Sequence, residues 1–176
     1  MRVIIIGSGK ALTYVARILT ARNLTPVVIC PEGRQAEAVA QELGSDALVG
    51  GPEELSVMEQ AGLEGADLVI ALGEDDTQNM IACHLSKRLF GVQRCLALVH
   101  DPQNAEVLRA LGADLTLSVA GMISEQLLTQ IDRVGVTRQL PLADGHLVML
   151  EITVPARAPV IGQSLKTLCD SGATIT

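Results

Sequence analysis

Six short runs of branched and small apolar residues recur along the chain, at Val3–Ile6, Val27–Cys30, Ala47–Val49, Leu68–Leu72, Cys95–Val99 and Leu115–Ser118. Unbroken runs of this kind suit strands covered on both faces, the condition of a parallel sheet. Between them the apolar spacing becomes helical. Ala11, Tyr14, Val15, Ile18 and Leu19 share one face, as do Ala36, Val39, Ala40 and Leu43, and then Leu55, Met58 and Leu63. A longer fourth helix carries Met80, Ile81, Cys83, His84, Leu85, Lys87 and Leu89, and Val107–Leu111 reads as a fifth. Each crossover between parallel strands returns right-handed over the sheet, so strict alternation predicts helices on both faces. The expected fold is α/β: a Rossmann-like, doubly wound, six-stranded parallel sheet, most simply in strand order 3-2-1-4-5-6.

After the sixth strand comes one more helix, about 119–134, with Met122, Ile123, Leu127, Leu128 and Ile131 on an apolar stripe. Beyond it Pro141 and Gly145 read as a linker, "HLVMLEITV" as a strand punctuated by Pro155 and Pro159, and "GQSLKTLC" as a short helix. A single strand with one helix does not bury its own surfaces. The expected organisation is therefore a lobe over 1–135 and a partial lobe over 140–176, the latter a fragment of a longer domain or a piece docked on another surface.

Composition narrows the function classes. A length of 176 residues accommodates one ordinary domain with a small appendage. Cys30, Cys83, Cys95 and Cys169 sit in apolar runs without a CxxC pair, which reads as buried thiols of a reducing, cytosolic compartment. No run approaches the roughly 18 apolar residues of a membrane span, and the opening segment lacks the length of a secretion signal. A net charge of -7, with Tyr14 and Phe90 as the aromatics, argues against nucleic acid.

The stretch "VIIIGSGKAL" carries the first candidate site. A strand that feeds a glycine turn and a helix presents unpaired N–H groups and a partial positive charge to an anion. Gly7 and Gly9 fill the first two places of GxGxxG, while Leu12 stands at the third. A plain packing turn also explains two glycines. Lys10 opposes the helix dipole and asks for an anion nearby, unless it is simply solvated. At the end of the second strand a carboxylate normally accepts from ribose hydroxyls; Cys30 is there, with Glu32 two residues on as a substitute or as the start of a surface helix. Arg34 could meet a phosphate or face solvent. "ALGEDDTQN" leaves the fourth strand beside the switch point, so Gly73, Glu74, Asp75, Asp76 and Asn79 border the crevice; helix capping by Asp75 or Asp76 accounts for the acids as well.

With "VIIIGSGKAL", "GLEGADLVIALGEDDTQNMIACHLSKRLFG" over 62–91 and "VHDPQNAEVLRALGAD" over 99–114 in view, the chain resembles the RCK, or KTN, domain of TrkA-N type found in potassium-transport regulators. "LEITVPARAPVIGQSLKTL" resembles the opening of that family's TrkA-C-like lobe. The resemblance implies a regulatory ligand, NAD(H) or ATP, ADP or AMP, whose occupancy moves a homodimer, often within an octameric ring on a membrane potassium channel or transporter. It implies that Gly7, Ser8, Gly9 and Lys10, with Ala11 beside them, cradle phosphates. Leu72, Gly73, Asp76 and Asn79 would edge the site, and the helix over 119–134 would cross to a neighbouring subunit. The chain departs from the family at Leu12, at Cys30 in place of an aspartate, at Gly51 after Gly50 where an aspartate is common, and at Leu98 where an arginine is frequent. A strand starting at Val3 leads to the expectation of a separate regulatory subunit on the inner face of the cell membrane, with no pore before it, unless the chain is a piece of a longer one.

A catalyst is not evident. His84 lies in a helix, His100 in a strand-to-helix turn and His146 in the tail, and no nucleophile–base set assembles from the spacing. Three readings stay open: a nucleotide-sensing regulator that binds without turnover, an NAD(P)-dependent oxidoreductase, and a degenerate Rossmann module that assembles without nucleotide.

Overall fold

The computed structural model describes residues 1–131, 136–142, 147–152, 156 and 161–162. It divides into two compact units, Met1–Ile123 and Ser124–Thr176, each described by itself. In the first unit the strands are β1 (Val3–Gly7), β2 (Val27–Cys30), β3 (Ala47–Val49), β4 (Leu68–Leu72), β5 (Arg94–Val99) and β6 (Leu115–Ser118). The helices are α1 (Gly9–Ala21), α2 (Gly33–Leu43), α3 (Leu55–Ala61), α4 (Asp76–Arg88), α5 (Ala105–Leu111) and α6 (Val119–Ile131), the last running across the division. All six strands are parallel, in the order β3-β2-β1-β4-β5-β6, as the alternation predicts.

Every residue of β1 is buried, and its side chains alternate between two cores. Ile4 and Ile6 join Ile29, Met58, Leu63, Val69, Cys83, Val99 and Leu108 on one face. Ile5 joins Leu12, Ala16, Val28, Cys30, Ala36 and Val39 on the other. The apolar run at the start of the chain is therefore the central strand. The "LGAD" turn ties the far edge: Asp114 accepts from the Cys95 N–H (2.6 Å) and pairs with Lys87 of α4 (2.7 Å). Partial burial raises the Asp114 pKa, but the Lys87 ammonium and the Cys95 N–H outweigh it and hold the carboxyl below its ordinary value. Gly112 lies within that turn at φ +119°, where a Cβ would lie 2.6 Å from Lys87 Cγ.

Two expectations change. On α1 the core face is Leu12 and Ala16, with Val15 and Leu19 half-buried, while Ala11, Tyr14 and Ile18 look outward, Tyr14 at 62% exposure. Apolar residues nearly encircle this helix, so periodicity alone offers two arcs, and the sheet selects the one whose Leu12 fits beside Cys30 and Leu72. Leu55, expected with Met58, is also exposed. In the second unit, residues read as leading into a linker form β7 (Val136–Leu142), antiparallel to β8 (Leu147–Ile152). Pro141 lies within β7, paired with Val148; in a two-stranded sheet both strands are edges, so a residue lacking an N–H can be accommodated. The expected helix beyond Gly162, the end of the helix reaching 134, Gly145, His146 and Cys169 lie outside the described residues.

If Leu12 is the α1 residue that locks the helix to the sheet, Leu12→Ala should lower the unfolding free energy by about 2–5 kcal/mol. Ile18→Ala should change it by less than about 1 kcal/mol. Urea denaturation of the two variants decides between the arcs, and equal losses would restore the face expected from periodicity.

Candidate functional site

The site lies next to the carboxyl edge of β1 and β4. Gly7 has φ +147°, and a Cβ there would lie 2.3 Å from the Leu72 carbonyl carbon and oxygen, so only glycine lets the two strand ends approach. The Ser8 N–H donates to the Leu72 carbonyl (3.3 Å) as the chain turns into α1. Ser8 occupies the N-cap position in extended conformation without using its side chain as a cap. Gly9, at φ +75°, opens the helix, and a Cβ on it would lie 2.8 Å from Glu74 Oε1. The Glu74 carboxylate, from the loop after β4, therefore rests against the first turn of α1.

A cleft of about 750 Å³ opens here, lined by Gly9, Lys10, Ala11, Thr13, Tyr14, Arg17, Glu32, Gln35 and Glu74. Lys10, Thr13, Tyr14 and Arg17 come from one stripe of α1, at helical spacing. Arg17 pairs with Glu42 of α2. Lys10 makes no hydrogen bond or ion pair among the described residues, which leaves its ammonium available at the mouth. Glu32 and Glu74 set two carboxylates against these two cations.

Gln35 was not anticipated from the sequence. Its Nε2 donates to the Gly9 carbonyl (2.6 Å) and to Thr13 Oγ1 (3.1 Å), and its Oε1 accepts from the Gly9 N–H (3.0 Å) and the Cys30 thiol (3.4 Å). Glutamine on the first turn of a surface helix carries no local signal, and the contact to Gly9 spans 26 residues. Cys30 is fully buried, and that burial raises its pKa, so it stays a neutral thiol able to donate.

Other predicted residues are placed in supporting roles. Asn79 is 1% exposed: its Oδ1 accepts from the Gly73 N–H (2.7 Å), and its Nδ2 donates to the Gly73 (3.2 Å) and Leu98 (3.0 Å) carbonyls. A Cβ on Gly73 would lie 2.9 Å from Asn79 Oδ1, which accounts for that glycine. Asp75 caps α4 by accepting from the Thr77 (2.6 Å) and Gln78 (3.2 Å) N–H groups. Asp76 Oδ1 accepts from the His100 N–H (2.7 Å) and meets His100 Nδ1 at 3.2 Å. Its Oδ2 accepts from the Asp101 N–H (3.0 Å) and Asn104 Nδ2 (2.8 Å). Gly50 and Gly51 are buried beyond β3, where the Gly50 N–H donates to the Cys30 carbonyl and the Gly51 N–H to Glu54 Oε1. Arg34 is exposed and does not line the cleft. Of the predicted set, the cleft gathers Gly9, Lys10, Ala11, Glu32 and Glu74; Gly7, Ser8 and Leu72 form the adjoining strand ends without lining it, and Cys30 supports Gln35 from beneath. Leu12, at the third glycine position, packs in the core and leaves the cleft open.

Burial alone would raise the pKa of Asp76, but the Asn104 side chain and the His100 and Asp101 N–H groups hold it down to about 2. A carboxyl depressed in the folded state stabilises fully above its unfolded value near 3.8 and loses that contribution as pH falls towards 2. Asp76→Ala should therefore be less stable than the parent by about 2 kcal/mol at pH 7, and the gap should narrow between pH 4 and pH 2. Urea unfolding across that range measures it; a gap independent of pH would show that the carboxylate charge contributes nothing.

The TrkA-N domain model matches residues 3–119, more than half of the chain. The Trk system potassium uptake protein TrkA of Azorhizobium caulinodans is 30% identical over 95% of this chain, and TrkA of Mycobacterium tuberculosis 28% identical over 96%. The chain spans 37% of the first relative's length and 76% of the second's. Among solved structures, the NAD(P)-binding domain of an exopolyphosphatase-related protein from Archaeoglobus fulgidus is similar with TM-score 0.64 and 25% identity, covering 75% of this chain and 98% of that one. The GsuK channel bound to NAD shares the fold with TM-score 0.66 and 23% identity, covering 81% of this chain and 25% of the channel chain. The matched segment contains the Gly7–Lys10 turn, the six-stranded sheet and the loop after β4, and by that match the chain belongs to the TrkA-N domain family.

Proposed function

We propose that this chain is a nucleotide-sensing regulatory domain of a potassium-transport system, taking NAD(H) or an adenine nucleotide at the α1 cleft without chemical turnover. The observation that carries the reading is an unpaired Lys10 on the first turn of α1, within a TrkA-N segment, at the switch point of a doubly wound sheet. Phosphates would be held by Lys10 and the free N–H groups of that turn, and ribose hydroxyls by Glu32, the exposed carboxylate next to the end of β2. Binding rather than catalysis is supported by the placement of His100, which lies outside the lining of the cleft. TrkA relatives are potassium uptake proteins, and GsuK structures hold NAD and ADP; both support the assignment at the level of class.

Coupling to a membrane partner belongs to the same proposal. Met122, Ile123, Leu127 and Leu128 of α6 are each more than half exposed, an apolar stripe that a second copy of the chain would cover in a homodimer or ring. Occupancy of the cleft then biases the assembly only if α1 and the loop after β4 contact the ligand differently in two arrangements. The proposed partner is a membrane potassium channel or transporter, met at the inner face of the cell membrane; no helix among the described residues is long and apolar enough to cross a membrane.

A thermal-shift panel of NAD, NADH, ATP, ADP and AMP tests the reading. A ligand at 100 times its dissociation constant should stabilise the fold by about 2.7 kcal/mol. Lys10→Ala should weaken the best ligand by about tenfold in calorimetry, the usual range for a charged contact to phosphate. No shift with any of the five would remove nucleotide sensing and leave assembly as the role.

A further inference from the structure

Gln35 holds the first turn of α1 by its side chain. Both of its N–H bonds and both oxygen lone pairs are used: Nε2 donates to the Gly9 carbonyl and Thr13 Oγ1, while Oε1 accepts from the Gly9 N–H and the Cys30 thiol. Reversing the amide would set its NH₂ against two donors and its oxygen against the Gly9 carbonyl, so the arrangement has one satisfied orientation. Cys30 is part of that match, because its neutral thiol faces Oε1 (3.4 Å) as well as the Glu32 carbonyl (3.7 Å) and is the donor to both, and burial keeps it neutral. An aspartate at position 30 would face Oε1 with a second acceptor, and the reversed amide would meet the Gly9 N–H with a donor. The Glu74 carboxylate, against Gly9 from the opposite loop, adds a negative charge at the same turn.

We propose that Gln35 determines the affinity of the cleft: it takes the Gly9 N–H in the absence of ligand, and an anionic group reaches that N–H only by displacing the amide. This rests on the nucleotide reading above and deepens it, since it names the side chain against which a phosphate competes. Displacement would also free α2 from the first turn of α1, because Gln35 joins them through Gly9 and Thr13. The cleft would thus favour ligands whose remaining contacts, to Lys10 and Glu32, outweigh the lost amide bonds.

Calorimetry with ADP and with NAD on the full chain and on Gln35→Ala tests the proposal. Alanine suits the first turn of a helix and leaves a partly exposed site, so the variant should fold. The expected result is about tenfold tighter binding of one of the two ligands by Q35A, the value of a displaced hydrogen-bond pair. Two amide-exchange readouts accompany this: without ligand, the Gly9 amide should exchange faster with solvent in Q35A, and on addition of ADP or NAD the Gln35 side-chain amide of the parent should lose protection. Equal or weaker binding by a folded Q35A would overturn the role of Gln35 while leaving the nucleotide reading intact. Absence of binding by both proteins would overturn the nucleotide reading and this proposal with it.

Discussion

The close approach of β1 and β4 at Gly7 is the constraint from which the site follows. Five residues of each strand run in parallel register, ending on Gly7 opposite Leu72, and a side chain at that last position would enter the Leu72 peptide. From this point the chain leaves in two directions, into α1 from β1 and into the loop of Glu74 from β4. The crevice is the gap that divergence creates, which is why switch points of open sheets bind ligands in unrelated proteins.

The two sides of the carboxyl edge differ in kind. Towards β5, Asn79 and Asp76 are nearly inaccessible, fully partnered and tied to Gly73, Leu98, His100, Asp101 and Asn104. Such a network is rigid, because each lost bond would leave a buried polar group unsatisfied. Towards β2, the rim is made of Lys10, Glu32 and Gln35, half-buried or exposed; Lys10 has no partner among the described residues, and those of Gln35 are ones that solvent or a ligand can replace. A sensor calls for this asymmetry: a fixed frame on one side, and contacts on the other whose exchange is nearly balanced in free energy.

Much of this was readable before the fold. The six strands, their order, the glycine turn, Lys10 and the Asp75 cap follow from local pattern, since strand runs, helix periods and caps are properties of neighbouring residues. Three features were not. The buried arc of α1 was misassigned because Tyr14 and Ile18 are as apolar as Val15 and Leu19, and only the sheet beneath distinguishes them. β7 was missed because Pro141 argues against a strand, an argument that fails where both strands are edges. Asp76 and Asn79 were expected to border a ligand, whereas their side chains serve the backbone of neighbouring loops.

The chain's own order of residues thus determined the class of fold, the location of the crevice and the cation beside it, all of which depend on spacing along a few turns. Tertiary structure alone decided which polar groups in that crevice are free and which are spent. Gly9 and Gln35, 26 positions apart, leave no trace of their contact in either segment, because a hydrogen bond across two helices depends on where the sheet sets them down. The same physical reason separates Asp76 from Glu32: both are acids beside a strand end, and only packing makes one a buried tie and the other an open contact.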